Sequence, residues 1–120
     1  MSKKVFHLST CSTCKRIIKE LELVDKGFAL QNVKETPISE EELENLYQFS
    51  GSYESLFNRR SVLYRDRKLK EVNLSEEDYK NLILEHYSFL KRPIIQVNQT
   101  YFIGNAKKTL AAAQEFLDQL

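Results

Sequence analysis

Apolar residues recur with two different periods along this chain, and the switches between them mark its elements. In "KVFHLS", residues 4–9, β-forming residues alternate, so the first element is expected to be a strand. From Cys11 to about Lys26 the apolar positions Ile17, Ile18, Leu21 and Leu23 fall at helical spacing. "DKG" ends that helix, with Gly27 as its C-terminal cap. "FALQNV", 28–33, is a second strand. Two strands joined by a helix form a βαβ unit whose strands run parallel.

"TPISEEELENLYQFSG", 36–51, signals a helix capped by Ser39, with acidic residues in its first turn and Gly51 at its end. "SYESLFNRRSVLYRDRKL" has no sustained period and is expected to hold a short helix and an irregular turn. A further helix follows over 73–90, capped by Ser75. "PIIQV", 93–97, and "TYFIG", 100–104, are two strands separated by Asn98-Gln99, the spacing of a β-hairpin. Asn105 is expected to cap a last helix, whose buried stripe is Leu110, Ala113, Phe116, Leu117 and Leu120. The order is βαβ, a helical block, then ββα. Without the block, this is the order of the thioredoxin fold. The expectation is an α/β protein with a four-stranded mixed sheet and a helical insertion between its halves.

Composition narrows the function classes. The chain has 120 residues, enough for one ordinary domain, and 42% are hydrophobic, enough for a core without staples. Eighteen basic residues against seventeen acidic give no electrostatic reason to expect direct nucleic-acid or membrane binding. No apolar run approaches the roughly 20 residues of a membrane span. "MSKKVFHLST" starts basic but has too short an apolar run for a signal peptide, so a cytoplasmic location is expected. The eight aromatic residues from Tyr47 to Phe89 read as the packing core of the insertion, His7 as a packed or hydrogen-bonded histidine, and His86 as structural or exposed.

The chemistry concentrates in "LSTCSTCKR", residues 8–16, which holds both cysteines. If the strand ends near Thr10, Cys11 falls at a helix N-terminus. Unpaired N–H groups there favour a thiolate and lower the thiol pKa. Cys14 lies one turn later, and Lys15 and Arg16 add positive charge. Cys11 would attack as nucleophile and Cys14 would resolve the product into a disulfide. A zinc site would need four ligands, and the chain has no third cysteine, so no metal is expected. Two inert thiols remain the bland alternative. The N–H groups from Ser12 to Lys15 could also hold an anion.

"CSTCKR" after the first strand, "RPII" at 92–95 and "YFIGNAKKTLAAAQEFL" together resemble the arsenate reductase (ArsC) family of the glutaredoxin-linked kind, which includes the Spx-type transcriptional regulators. The resemblance covers essentially the whole chain. It implies a single thioredoxin-like domain over 1–120, with the helical insertion at about 36–90. It further implies that Cys11 is the nucleophile of an anion-binding loop containing Ser12 and Thr13, that Arg92 binds the oxyanion, and that Arg59 or Arg60 supplies a second arginine. Pro93 would be the cis-proline beside the active cysteine. A third family arginine has no counterpart, because "FIGNA" places Gly104 and Asn105 there. The implied activity is reduction of arsenate or a related small oxidised substrate. No cofactor would be bound, and glutathione/glutaredoxin or thioredoxin would serve as thiol donor. The alternative implied is an Spx-like regulator that binds the C-terminal domain of the RNA polymerase α subunit, with the cysteine pair as its switch.

Overall fold

The chain enters its sheet within its first residues. In a computed structural model that describes residues 2–120, β1 runs over Lys3–His7 and stops before Leu8. It ends two residues earlier than the alternation suggests, because the Cys11 N–H turns back onto the Leu8 carbonyl at 2.9 Å. The next helix, α1 (Ser12–Glu20), also ends early. Glu22 adopts φ +54°, a left-handed conformation that breaks the helix. Leu21 and Leu23 are still buried, which is why they read as helical positions. Gly27 (φ +85°) closes a later turn, its N–H on the Val24 carbonyl at 3.0 Å, rather than capping α1.

β2 (Ala29–Asn32) pairs parallel with β1, as a βαβ crossover requires. β3 (Ile94–Val97) pairs antiparallel with β1, and β4 (Thr100–Ile103) antiparallel with β3. The order β2-β1-β3-β4 makes the expected mixed four-stranded sheet. The hairpin turns at Asn98-Gln99, with Asn98 at φ +54°, a conformation that asparagine tolerates better than most residues. α5 (Lys107–Asp118) follows. Its N-cap is Ala106, without a side-chain cap, so Asn105 does not play the part expected of it. Val5, Ile95 and Val97 of the sheet pack with Ile17 and Leu21 of the α1 segment and Ala113 and Leu117 of α5. Leu120, expected in that stripe, is exposed. His7 is half-buried, and burial lowers its pKa.

The residues up to Thr36 together with Arg92–Leu120 form one compact unit, the sheet unit. Pro37–Lys91 form a second, the intervening unit. α2 (Glu40–Ser50) begins in a complete capping box: Ser39 Oγ accepts from the Glu42 N–H, and Glu42 accepts from the Ser39 N–H. Gly51 ends it at φ +76°. α3 (Val62–Asp66) is short, as the weak period there suggests. α4 (Glu76–Glu85) starts in a second capping box, between Ser75 and Asp78. It ends five residues before the expected Leu90, where His86 turns extended and caps a single 3₁₀ turn over Tyr87–Phe89. The core is aromatic. Phe57 stacks on Phe89 at 5.3 Å and meets Tyr79 and Tyr64 edge-on at 5.0 and 5.8 Å. Phe49 departs from the expected aromatic core, being 48% exposed. No helix among the described residues is long and apolar enough to cross a membrane.

Candidate thiol site

Leu8, Ser9 and Thr10 carry the chain from the end of β1 into α1, and Cys11 is the N-cap of that helix. Its backbone is extended (φ −87°, ψ 113°), so its sulfur lies at the end where the first helical N–H groups have no intrahelical partner. The loop is held from the neighbouring strand. Asn32 Nδ2 donates to Ser9 Oγ at 2.9 Å, and Asn32 Oδ1 accepts from the Lys34 N–H at 3.3 Å. Asn32 is a positioning residue that sequence reasoning missed. Its only signal is an amide side chain at the last position of β2, the strand parallel to β1.

The two sulfurs sit in opposite environments. Partial burial opposes ionisation of Cys11. It is outweighed by the Cys14 N–H, the Cys14 thiol, the positive charge of Arg92 and the Thr13 N–H, and the net effect lowers the Cys11 pKa. Cys14 has no exposed surface, and burial pushes its thiol up to about 11. A hydrogen bond from the Leu8 backbone pulls the other way, and the neighbouring Cys11 adds to the rise. The pair is therefore a half-exposed thiol whose ionisation is favoured, accepting a hydrogen bond from a buried thiol whose ionisation is opposed. Both cysteines are unbridged.

Arg92 acts on both sulfurs. It lies two residues before β3, which pairs with β1, so sheet pairing carries it to Cys11 across most of the sequence. Lys15 and Arg16, which follow the pair in sequence, are exposed. The Arg92–Pro93 peptide bond is cis. The Pro93 carbonyl accepts from the Gly104 N–H at 2.9 Å, so Gly104 sits next to Pro93 on the adjacent strand end. An added Cβ at Gly104 would meet nothing within 4 Å, but its φ of +90° disfavours any side chain there.

The structure thus brings together Cys11, Cys14, the charge of Arg92 and the Thr13 N–H, with the cis-proline Pro93 following Arg92 in the chain and Ser12 exposed as the first residue of α1. Arg59 and Arg60 belong to the intervening unit. Arg59 is ion-paired with Glu54 and donates to the Tyr79 hydroxyl at 3.1 Å. The exposed Arg60 has its N–H on Asn58 Oδ1 at 3.1 Å. Among the described residues, no group of three or more His, Cys, Asp or Glu side chains could hold a metal ion.

A strand that opens into a Cys-x-x-Cys helix, with a cis-proline leading into another strand of the same mixed four-stranded sheet, defines a thioredoxin-like protein. The comparisons place it more narrowly: the chain belongs to the ArsC family, whose profile matches residues 6–113. It is 27% identical over 113 residues to an arsenate reductase of Neisseria meningitidis, covering 91% of this chain and 95% of that protein. It is 28% identical over 101 residues to the global transcriptional regulator Spx of Streptococcus mutans, covering 83% of this chain and 74% of that protein. The fold matches an arsenate reductase structure from Vibrio cholerae with a TM-score of 0.75 at 24% identity, over 100% of this chain and 98% of that one.

Proposed function

We propose that this chain is a thiol oxidoreductase that reduces arsenate or a closely related oxyanion, with Cys11 as nucleophile and Cys14 as resolving thiol. One observation carries the reading: Cys11 stands at a helix N-terminus and accepts a hydrogen bond from the buried Cys14 thiol one turn away, with its pKa lowered and that of Cys14 raised. The oxyanion would bind against Arg92 and the N–H groups at the start of α1. Cys11 Sγ attacks As(V), an As–S bond forms, and an oxygen leaves as water after protonation. Cys14 passes its proton to a departing oxygen or to solvent, and its sulfur attacks Cys11 Sγ. The As–S bond breaks with its electron pair left on arsenic. Arsenic becomes As(III), and the two thiols become one disulfide. Two thiols of glutathione/glutaredoxin, or the dithiol of thioredoxin, then reduce that disulfide. The order suits the two environments, since the readily ionised thiol attacks first and the buried one acts only when Cys11 Sγ is electrophilic.

The assay is arsenate-dependent NADPH oxidation, coupled in turn to each donor system. Turnover is expected with the intact pair and none with Cys11→Ser. Cys14→Ser should turn over more slowly, through a mixed disulfide between Cys11 and a donor thiol that a second donor thiol must reduce. Absence of turnover with every donor sinks the reading.

A second reading has its own support. The similarity to Spx spans most of this chain, and Gly104 stands where the resemblance called for a third arginine. Losing one charged donor costs on the order of 1.5–3 kcal/mol of oxyanion stabilisation, a roughly tenfold to hundredfold weakening of turnover. On this reading the pair is a redox switch on a regulator that contacts the RNA polymerase α subunit. Purified α C-terminal domain should then be retained by this chain in one redox state and not the other. Retention in neither state excludes it.

A further inference from the structure

Charge in the intervening unit is segregated in a way that the near-neutral composition hides. Between residues 59 and 70 stand Arg59, Arg60, Arg65, Arg67, Lys68 and Lys70 against the single acid Asp66. The rest of Pro37–Lys91 carries ten acidic residues and only Lys80 and Lys91 as cations. All six cations of the run are exposed. Three are compensated: Arg59 by Glu54, Arg65 by Asp66 and Arg67 by Glu85. Among the described residues, Arg60, Lys68 and Lys70 have no ion-pair partner.

Two of these uncompensated cations open onto one cleft. Tyr64, Arg65, Lys68, Lys70 and Glu71 line a cavity of about 350 Å³. Its floor is rigid on one side, because Tyr64 packs edge-on against Phe57 of the aromatic core. Its rim is shaped by Lys68, held at φ +53°, ψ +40° where the chain turns out of α3. That left-handed conformation is one a lysine seldom adopts, and such positions gather at ligand-binding turns. The cleft is therefore lined by an aromatic ring and by long cationic side chains, whose aliphatic stems can cover an apolar group.

We propose that this cleft docks an acidic peptide segment of a partner protein, one apolar side chain entering beside Tyr64 and flanking carboxylates meeting Lys68, Lys70 and Arg65. The residues that line the cleft all belong to the intervening unit, and docking there does not depend on the thiol chemistry. A short segment fits better than an extended polyanion, because the lining offers three cations beside the acid Glu71 rather than a continuous basic track. Glu71 on the rim gives a peptide N–H an acceptor and gives a phosphate none.

The test uses the full-length chain and a short fluorescent peptide of Asp and Glu around one Phe, followed by anisotropy. Binding is expected, weakening as salt rises, and roughly tenfold weaker for Lys68→Glu combined with Lys70→Glu. The same peptide with Asn and Gln in place of its acids should bind no better than that variant does. Lys68→Gly separates docking from folding. It keeps the left-handed turn without a Cβ, so it should melt no lower than the parent while still losing peptide affinity. Peptide binding unchanged by either substitution overturns the proposal. So does equal or tighter binding of a single-stranded oligonucleotide or of phosphatidylserine vesicles at matched charge.

Discussion

At Cys11 burial and hydrogen bonding pull the thiol in opposite directions, and the donors at the start of α1 together with Arg92 win. Alkylation by a neutral reagent should therefore reach half its maximal rate at Cys11 below the ordinary thiol range, while Cys14 reacts only after unfolding. Arg92→Gln should move the Cys11 midpoint upward, and an unmoved midpoint would exclude Arg92 as its cation. Cys14 makes the opposite claim. Its folded-state pKa lies above its unfolded one, so the protonated form is favoured in the native state. The stability this gives is fully present below the ordinary thiol pKa and is lost as pH rises toward about 11. Urea midpoints of the parent should fall across that window more steeply than those of Cys14→Ala. Parallel profiles would contradict it. The helix-terminal position of Cys11 was legible in the sequence, because the strand pattern stops and the helical one starts at that point. Asn32 was not, since it acts through a pairing of strands that no local pattern reveals.

Among the helix ends, those marked by a serine followed by acids were legible, whereas Gly27 and Asn105 cap no helix. Ser39 and Ser75 were read as caps from a hydroxyl followed by acids, and both form complete boxes, because the capping box is a local motif whose partners sit three residues apart. Ser39→Ala should cost about 1 kcal/mol, and Gly51→Ala, at φ +76°, about as much again. Both are measurable by urea unfolding, and a neutral Gly51→Ala would mean that the turn relaxes at no cost. What the period could not show is how residues 52–72 pack. Their apolar side chains answer to one ring cluster centred on Phe57, fed by separate short elements, rather than to a repeating face. α4 was read too long for the same reason, since Phe89 and Leu90 are buried beyond the helix's end. Phe57→Ala, with no exposed surface and three ring partners, should cost about 3–5 kcal/mol. A loss under about 1 kcal/mol would mean that the cluster does not hold the intervening unit together.

Over the whole molecule a net charge of +1 hides two units of opposite sign. The sheet unit carries ten basic and six acidic residues, and the intervening unit eight and eleven. Cys11 belongs to the positive one. A free thiolate repels an approaching anion, but here Arg92, the N–H groups of α1 and the field of the sheet unit all act against that repulsion. The balance can be read without knowing the substrate. Iodoacetate and iodoacetamide alkylate the same thiolate and differ by one negative charge, so their rate ratio reports the potential at Cys11 and cancels its ionisation. That ratio should exceed the ratio for an unfolded chain at low salt. It should fall as added salt shortens the screening length from about 30 Å toward 8 Å. Arg92→Gln should lower it at every salt concentration and leave a weaker salt dependence from the remaining charge. A ratio equal to that of the unfolded chain, flat in salt, would mean that the site has no preference for anions, and oxyanion reduction at Cys11 would lose its electrostatic basis.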